Sequence, residues 1–241
     1  YILGQKHLPD DRPVARKREQ APAMTAAERK RVAVLLLVIA LTIPAEIAYP
    51  MVWSIGILWV DQYVNLATSL GDVPSSWFAS MDSIGAILAA PALIAFWAWQ
   101  AKRGSEPTSV TKVGIGTTII AFAALLFAYG NLGLSEPDSV GAGWAIAGWL
   151  IMGLAWMYYW PTTLAIVSRA APAGMGSFLM GVAFLSPFVG HVLAGWVGSY
   201  FDQMSPSVFW AMDAAIAFVG GTLILLFRKR LQAALDPDLS A

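Results

Sequence analysis

Along this chain apolar positions come in long unbroken blocks rather than in a helical or strand rhythm. Runs of roughly 20 apolar residues, the length that crosses a bilayer core, cover Val32–Val60, Ser76–Gln100, Ser109–Tyr129, Ala142–Val167, Gly174–Tyr200 and Val208–Phe227. Short connections separate them, marked by turn residues such as Gly71-Asp72-Val73-Pro74, Gly104 to Pro107, Ser135-Glu136-Pro137-Asp138, Ala171-Pro172 and Ser205-Pro206. The pattern predicts six membrane-spanning helices and an all-α membrane protein. A soluble helical bundle is excluded, because its helices keep a polar face, whereas Val32–Ile43 and Phe122–Phe127 are apolar all round. The first run is roughly 43 Å long at 1.5 Å per residue. It overshoots a core of roughly 30 Å, so it must tilt, kink or protrude, and Pro44 and Pro50 offer kinks inside it.

Composition agrees: 58% of the residues are hydrophobic and 12% charged, about half the charge of an ordinary soluble domain. The placement of charge says more. Of 15 Lys and Arg, eight precede the first run and end in Arg29-Lys30-Arg31. Lys102, Arg103 and Lys112 flank the second connection, Arg169 lies in the fourth, and Arg228-Lys229-Arg230 follow the last run. The alternate connections carry acids only: Asp61, Asp72, Glu136, Asp138 and Asp202. Under the positive-inside rule the protein is multi-pass in the cell membrane with both termini cytoplasmic. Tyr1 is not a start residue and no signal-peptide core follows it, so the chain is expected to be a fragment lacking an N-terminal portion.

Three acids fall within the runs: Glu46, Asp82 and Asp213. An acid in the membrane is costly and marks a bundle interior or a wet pathway. Each is either a functional carboxyl or one satisfied by a neighbouring helix. Asp82 and Asp213 lie roughly 9 and 8 Å from the outer ends of their runs, and Glu46 roughly 21 Å from its inner end. His191 is the single intramembrane base. It is either a proton-relay member or a neutral imidazole bonded to a backbone carbonyl. Gly190, Ala194 and Gly198 recur every four residues, a pattern for close helix packing, and Gly114 and Gly116 fit the same role. With no cysteine and two histidines, His7 and His191, no metal cluster is expected. Neither a phosphate-cradling glycine loop nor a nucleophile elbow is present, so no enzyme is expected. The basic N-terminal stretch lacks interleaved aromatics, so no nucleic-acid partner is expected.

Further segments carry local patterns: Tyr1-Ile-Leu-Gly-Gln-Lys-His-Leu-Pro9, Thr25-Ala-Ala-Glu-Arg-Lys-Arg31, Ser76-Trp-Phe-Ala-Ser-Met-Asp82, Ala89-Ala-Pro91, Glu106-Pro107 with Lys112, Trp160-Pro161, Leu164, Val167, Ala171-Pro172 and Met180-Gly181. In their order and spacing they resemble the C-terminal half of proton-dependent oligopeptide transporters of the major facilitator superfamily. The resemblance implies one half, helices seven to twelve, built of two inverted three-helix repeats. Residues 1–31 would be the inter-half linker, 32–230 the bundle and 231–241 a cytoplasmic tail. It implies proton-coupled transport of di- or tripeptide-like solutes by alternating access with an N-terminal six-helix half, with protons as coupling ion and no cofactor. Departures stand at Trp156, where the family has a peptide-binding glutamate, at Pro50 for a glutamine, at Ala183 for a tryptophan, and at Asp82 for an asparagine. The helical hairpin that many bacterial members carry before helix seven is missing.

The expected substrate wall is therefore Trp156, Tyr159, Trp160, Asp82, Trp53 and Ser54, and the proton-coupling candidates are Glu46, Asp213 and His191. In a helix Trp149, Trp156, Trp160 and Thr163 share one face. The resemblance turns that face toward the central cavity; ordinary helix packing is the alternative. Pro161 would mark a bend. A major facilitator transporter for a non-peptide solute, and a non-transporting membrane accessory protein, are the competing readings.

Overall fold

The computed structural model describes residues 24–69, 71–132 and 139–235. The segment Tyr1–Pro9, His7, Glu136 and Asp138 lie outside the described residues, as do 236–241. Six helices are long and apolar enough to cross a membrane: Ala26–Trp53, Ser75–Lys102, Ser109–Gly130, Ala142–Ala170, Gly176–Gln203 and Pro206–Leu235, called here spans 1 to 6.

Span 1 begins at Ala26, ahead of the apolar run, because Thr25 caps it. The Thr25 hydroxyl accepts from the Glu28 amide at 3.2 Å, and the Glu28 carboxylate accepts the Thr25 amide at 2.8 Å. Such a cap contributes about 1 kcal/mol. The span is segmented, as its prolines predict. Helix α1 (Ala26–Leu41) stops at Thr42, α2 (Ile43–Ala48) follows, and Pro50 falls in a tighter 3₁₀ turn, Tyr49–Trp53. Ser54, at φ −109° and ψ −83°, then redirects the chain into α3 (Ile55–Tyr63). Pro44 has no N–H for the Ala40 carbonyl, and the Thr42 hydroxyl bonds the neighbouring Ile39 carbonyl at 2.6 Å.

After the short strands β1 (Val64–Asn65), β2 (Ala67–Thr68) and β3 (Gly71–Asp72), span 2 is a 3₁₀ turn plus α4 (Met81–Lys102), and span 3 is α5 (Ser109–Gly130). β4 (Val140–Gly141) pairs in parallel with β1, so the loop after span 1 is tied to the loop before span 4. Span 4 is α6 (Ala142–Ala170), unbroken through Pro161. The break expected there lies instead in span 5, where α7 (Gly176–Ala183) yields at Phe184 to α8 (Leu185–Gly198) three residues before Pro187. Span 6 is α9 (Pro206–Leu235), which runs beyond the apolar block and buries Leu231 and Leu235.

Helix packing has an internal symmetry. Spans 2 and 4 pack together, as do 1 and 5; spans 3 and 4 pack, as do 1 and 6; and 3 packs on 6. Exchanging the first three spans for the last three maps this set onto itself. Because span 4 runs opposite to span 1, the relation is that of two inverted triplets. Small residues set the close crossings, since helices in lipid associate by packing rather than by expelling water. At Gly153 a Cβ would strike the Asp82 carbonyl, at Gly85 the Leu150 backbone, and at Gly190 the Cβ and backbone of Glu46. Gly114 and Gly116 pack as expected, against Leu225 and against Tyr158 and Tyr159; Gly176, Gly181 and Gly195 face open space.

At the acidic end an aromatic core closes the bundle. Phe127 stands 4.9 Å from Trp210 and 5.0 Å from Trp149, and Trp59 packs on all three rings. Each such pair contributes roughly 0.5–1.5 kcal/mol beyond its area. The basic end is held by polar contacts. Lys112 pairs with Glu106 and lies 4.1 Å above Trp97, Arg103 lies 4.1 Å above Trp99, and Arg169 donates to the Ser109 hydroxyl at 2.6 Å.

Candidate functional site

A cleft of about 340 Å³ lies between spans 1, 4 and 5, lined by Glu46, Tyr49, Pro50, Trp53, Trp156, Tyr159, Trp160, Pro187 and His191. Its wall is built from the broken parts of the fold. Glu46 and Tyr49 are three residues apart and share a face of α2 and the turn after it. Trp156, Tyr159 and Trp160 come from one stripe near the middle of α6. Pro187 and His191 come from α8, just beyond the break in span 5.

Glu46 anchors the polar part. It is 5% exposed and its Oε1 accepts the Tyr159 hydroxyl. Tyr159 is 1% exposed. One turn before Glu46, Thr42 bonds Ser186 at 2.8 Å, joining the two places where spans 1 and 5 are broken. His191 lines the same cleft as Glu46. Its Nδ1 is 2.6 Å from the Pro187 carbonyl oxygen. A carbonyl only accepts, so Nδ1 carries the hydrogen. The ring is a carbonyl-bonded imidazole that stands on the cleft wall. Among the described residues no lysine or arginine lines the cleft.

Glu46, Trp53, Trp156, Tyr159, Trp160 and His191 come together here; Asp82, Ser54 and Asp213 do not line the cleft. Asp82 lies behind Tyr49, whose hydroxyl donates to Asp82 Oδ2 at 2.9 Å. Its other oxygen accepts from the Ser83 amide and hydroxyl. Ser54 bonds the Pro50 carbonyl at 3.3 Å and marks the turn into α3. Asp213 is fully buried, and neither of its oxygens has a hydrogen-bond partner among the described residues.

The aromatic stripe of α6 is divided. Trp156 and Trp160 face the cleft, but Trp149 is fully buried in the aromatic core and Thr163 is buried, bonding the Tyr159 carbonyl at 2.9 Å. Their angular positions are alike, as the helical period requires. What differs is cover: beyond Ser54, α3 folds over the stripe and sets Trp59 against Trp149. Tyr49 and Pro187 are wall residues that sequence reasoning overlooked. Their positions, one turn after Glu46 and one turn before His191, were the available signal.

Two inverted triplets with a cleft beside their broken helices define a major facilitator half-bundle. The POT family model matches residues 11–213, and the chain belongs to that family. It is 30% identical over 177 residues to the peptide transporter YePEPT of Yersinia enterocolitica, covering 70% of this chain and 34% of that protein. It is 25% identical to the peptide transporter PTR2 of Saccharomyces cerevisiae, over 76% of this chain and 33% of that one. A crystal structure of a peptide transporter POT in complex with sulfate superposes with a TM-score of 0.79 at 20% identity, covering 89% of this chain and 43% of that one. The chain thus spans about a third of the length of these curated relatives.

Proposed function

We propose that this chain is the C-terminal six-helix half of a proton-coupled carrier for di- and tripeptides or similar amine-bearing solutes. A second six-helix half completes the cleft, and the solute is exchanged by rocking of the two bundles around it. Membership of the POT family and the two peptide transporters among its relatives support the substrate class. The observation that carries the reading is Glu46, a carboxyl on the wall of an otherwise aromatic cleft, bonded to Tyr159 and lining the same cleft as His191. A carboxylate there attracts the ammonium of a peptide; the protonated acid releases it. The aromatic wall accepts an apolar body without selecting its side chains, and the cation that would meet a substrate carboxylate must come from the other half.

The test uses the full-length carrier in proteoliposomes. Glutamine keeps the shape and hydrogen bonding of Glu46 but cannot bind a proton. Glu46→Gln should lose gradient-driven accumulation while solute exchange at equal pH persists. Equal performance of mutant and parent in both assays would refute the coupling role. A full-length protein with no saturable flux would return it to the accessory class.

A further inference from the structure

A second concavity lies at the basic end of the bundle and shares no lining residue with the cleft. It is a groove of about 590 Å³ between α1 and the end of α9. On α1 the lining residues Lys30, Leu37 and Leu41 fall on one helical stripe, at i, i+7 and i+11; on α9 Phe227, Arg230 and Leu231 form another, at i, i+3 and i+4. The helices run in opposite directions, so Leu41 and Phe227 mark the deep end and Lys30 the mouth. From Lys30 to Leu41 the groove is roughly 16 Å deep at 1.5 Å per residue. Leu37 and Phe227 are 49% and 44% exposed. Among the described residues no acid lines the groove, and neither Lys30 nor Arg230 forms an ion pair.

We infer that this groove binds one anionic phospholipid of the inner leaflet, an acyl chain along the two apolar stripes and the phosphate between Lys30 and Arg230. The apolar depth demands a hydrocarbon, and the paired cations at its mouth demand a negative head. Their level matches the headgroup region where a basic membrane flank attracts acidic lipid. A soluble phosphate would leave the apolar floor uncovered, and a zwitterionic lipid would leave the cations without net compensation.

The test is native mass spectrometry of the full chain from neutral detergent, with phosphatidylglycerol and phosphatidylcholine of matched acyl chains in equal amounts. The parent should retain phosphatidylglycerol by roughly tenfold or more, the effect of two cations near a lipid phosphate. The double variant Lys30→Gln/Arg230→Gln should lose that preference. Leu41→Trp, which fills the deep end and leaves the charges, should lose the lipid altogether. Lys102→Gln/Arg103→Gln, at the same end but off the groove, should leave retention unchanged, and millimolar inorganic phosphate should not displace the lipid. Equal retention of both lipids by the parent, survival of the preference in Lys30→Gln/Arg230→Gln, or an equal loss in the off-groove control would overturn the site. So would a photoreactive residue at Leu37 that captures the chain's own tail rather than lipid.

Discussion

At the scale of single residues, two buried carboxyls of the bundle are each held by a tyrosine, yet only one faces the cleft. Tyr159 donates to Glu46, and Tyr49 donates to Asp82 from a ring that itself forms the wall. On the proposed function a peptide ammonium needs a carboxylate, and Glu46 and Asp82 are the two candidates near the cleft. We propose Glu46 for that role, because it lines the cleft while Asp82 bonds Tyr49 behind the wall. Competition uptake by the full-length carrier, with matched free and N-acetylated dipeptides, separates the two. A carboxylate–ammonium hydrogen bond is worth roughly 1.5–3 kcal/mol, so Glu46→Gln should reduce the preference for the free amine by roughly 10- to 150-fold. Asp82→Asn should leave that preference within roughly threefold, less than one such bond. The opposite ranking of the two variants would reassign the amine contact to Asp82.

At the scale of elements, the breaks in spans 1 and 5 face one another. Thr42 and Ser186 bond across them, and Gly190 lets α8 rest on the Glu46 backbone. Proline makes each break by removing an N–H and crowding the preceding turn. Small movements at this junction shift Glu46 and His191 together against Tyr159, since α2 and α8 both leave it while α6 is continuous. Pro187→Ala restores the missing donor to the Ala183 carbonyl and should join α7 to α8. Thermal denaturation should then move upward, since proline in a helix interior costs about 3 kcal/mol, while transport slows. Amide exchange around Ala183 should become slower. Unchanged exchange there, or faster transport, would mean the break is held by packing rather than by proline.

At the scale of the molecule, the charged residues sort to the two ends of the bundle. Among the described residues the Lys and Arg side chains sit at one end, with Trp97 and Trp99 under Lys112 and Arg103, and Asp61, Asp72 and Asp202 lie at the other. The positive-inside rule predicts that the first end is cytoplasmic. The chain contains no cysteine, so single cysteines report sidedness without background. In intact cells an impermeant maleimide should label Asp202→Cys and not Arg103→Cys, and permeabilisation should expose both. The reverse labelling would invert the topology.

The count of helices, the limits of spans 2 to 5 within a few residues and the sorting of charge followed from the sequence alone, whereas span 1 starts at Ala26 and span 6 runs on to Leu235, both outside their apolar runs. Each depends on the local cost of moving a residue from water into hydrocarbon, which is a property of composition along the chain. The kinks of span 1 were legible for the same reason, since proline acts on its own helix. Glu46 and His191 were legible as polar side chains inside a membrane run, and Trp156, Tyr159 and Trp160 as an aromatic cluster that the family resemblance turned toward a cavity. The separation of Trp149 from Trp156, the seclusion of Asp82 behind Tyr49, and the Thr42–Ser186 hydrogen bond were decided by tertiary structure. They depend on which helix covers a face, and residues 144 positions apart, as Thr42 and Ser186 are, meet only when the two triplets pack. Pro161 and Pro187 differ in the same way: both lack an N–H, but α6 stays continuous between α4 and α5, while span 5 breaks where it meets the break in span 1.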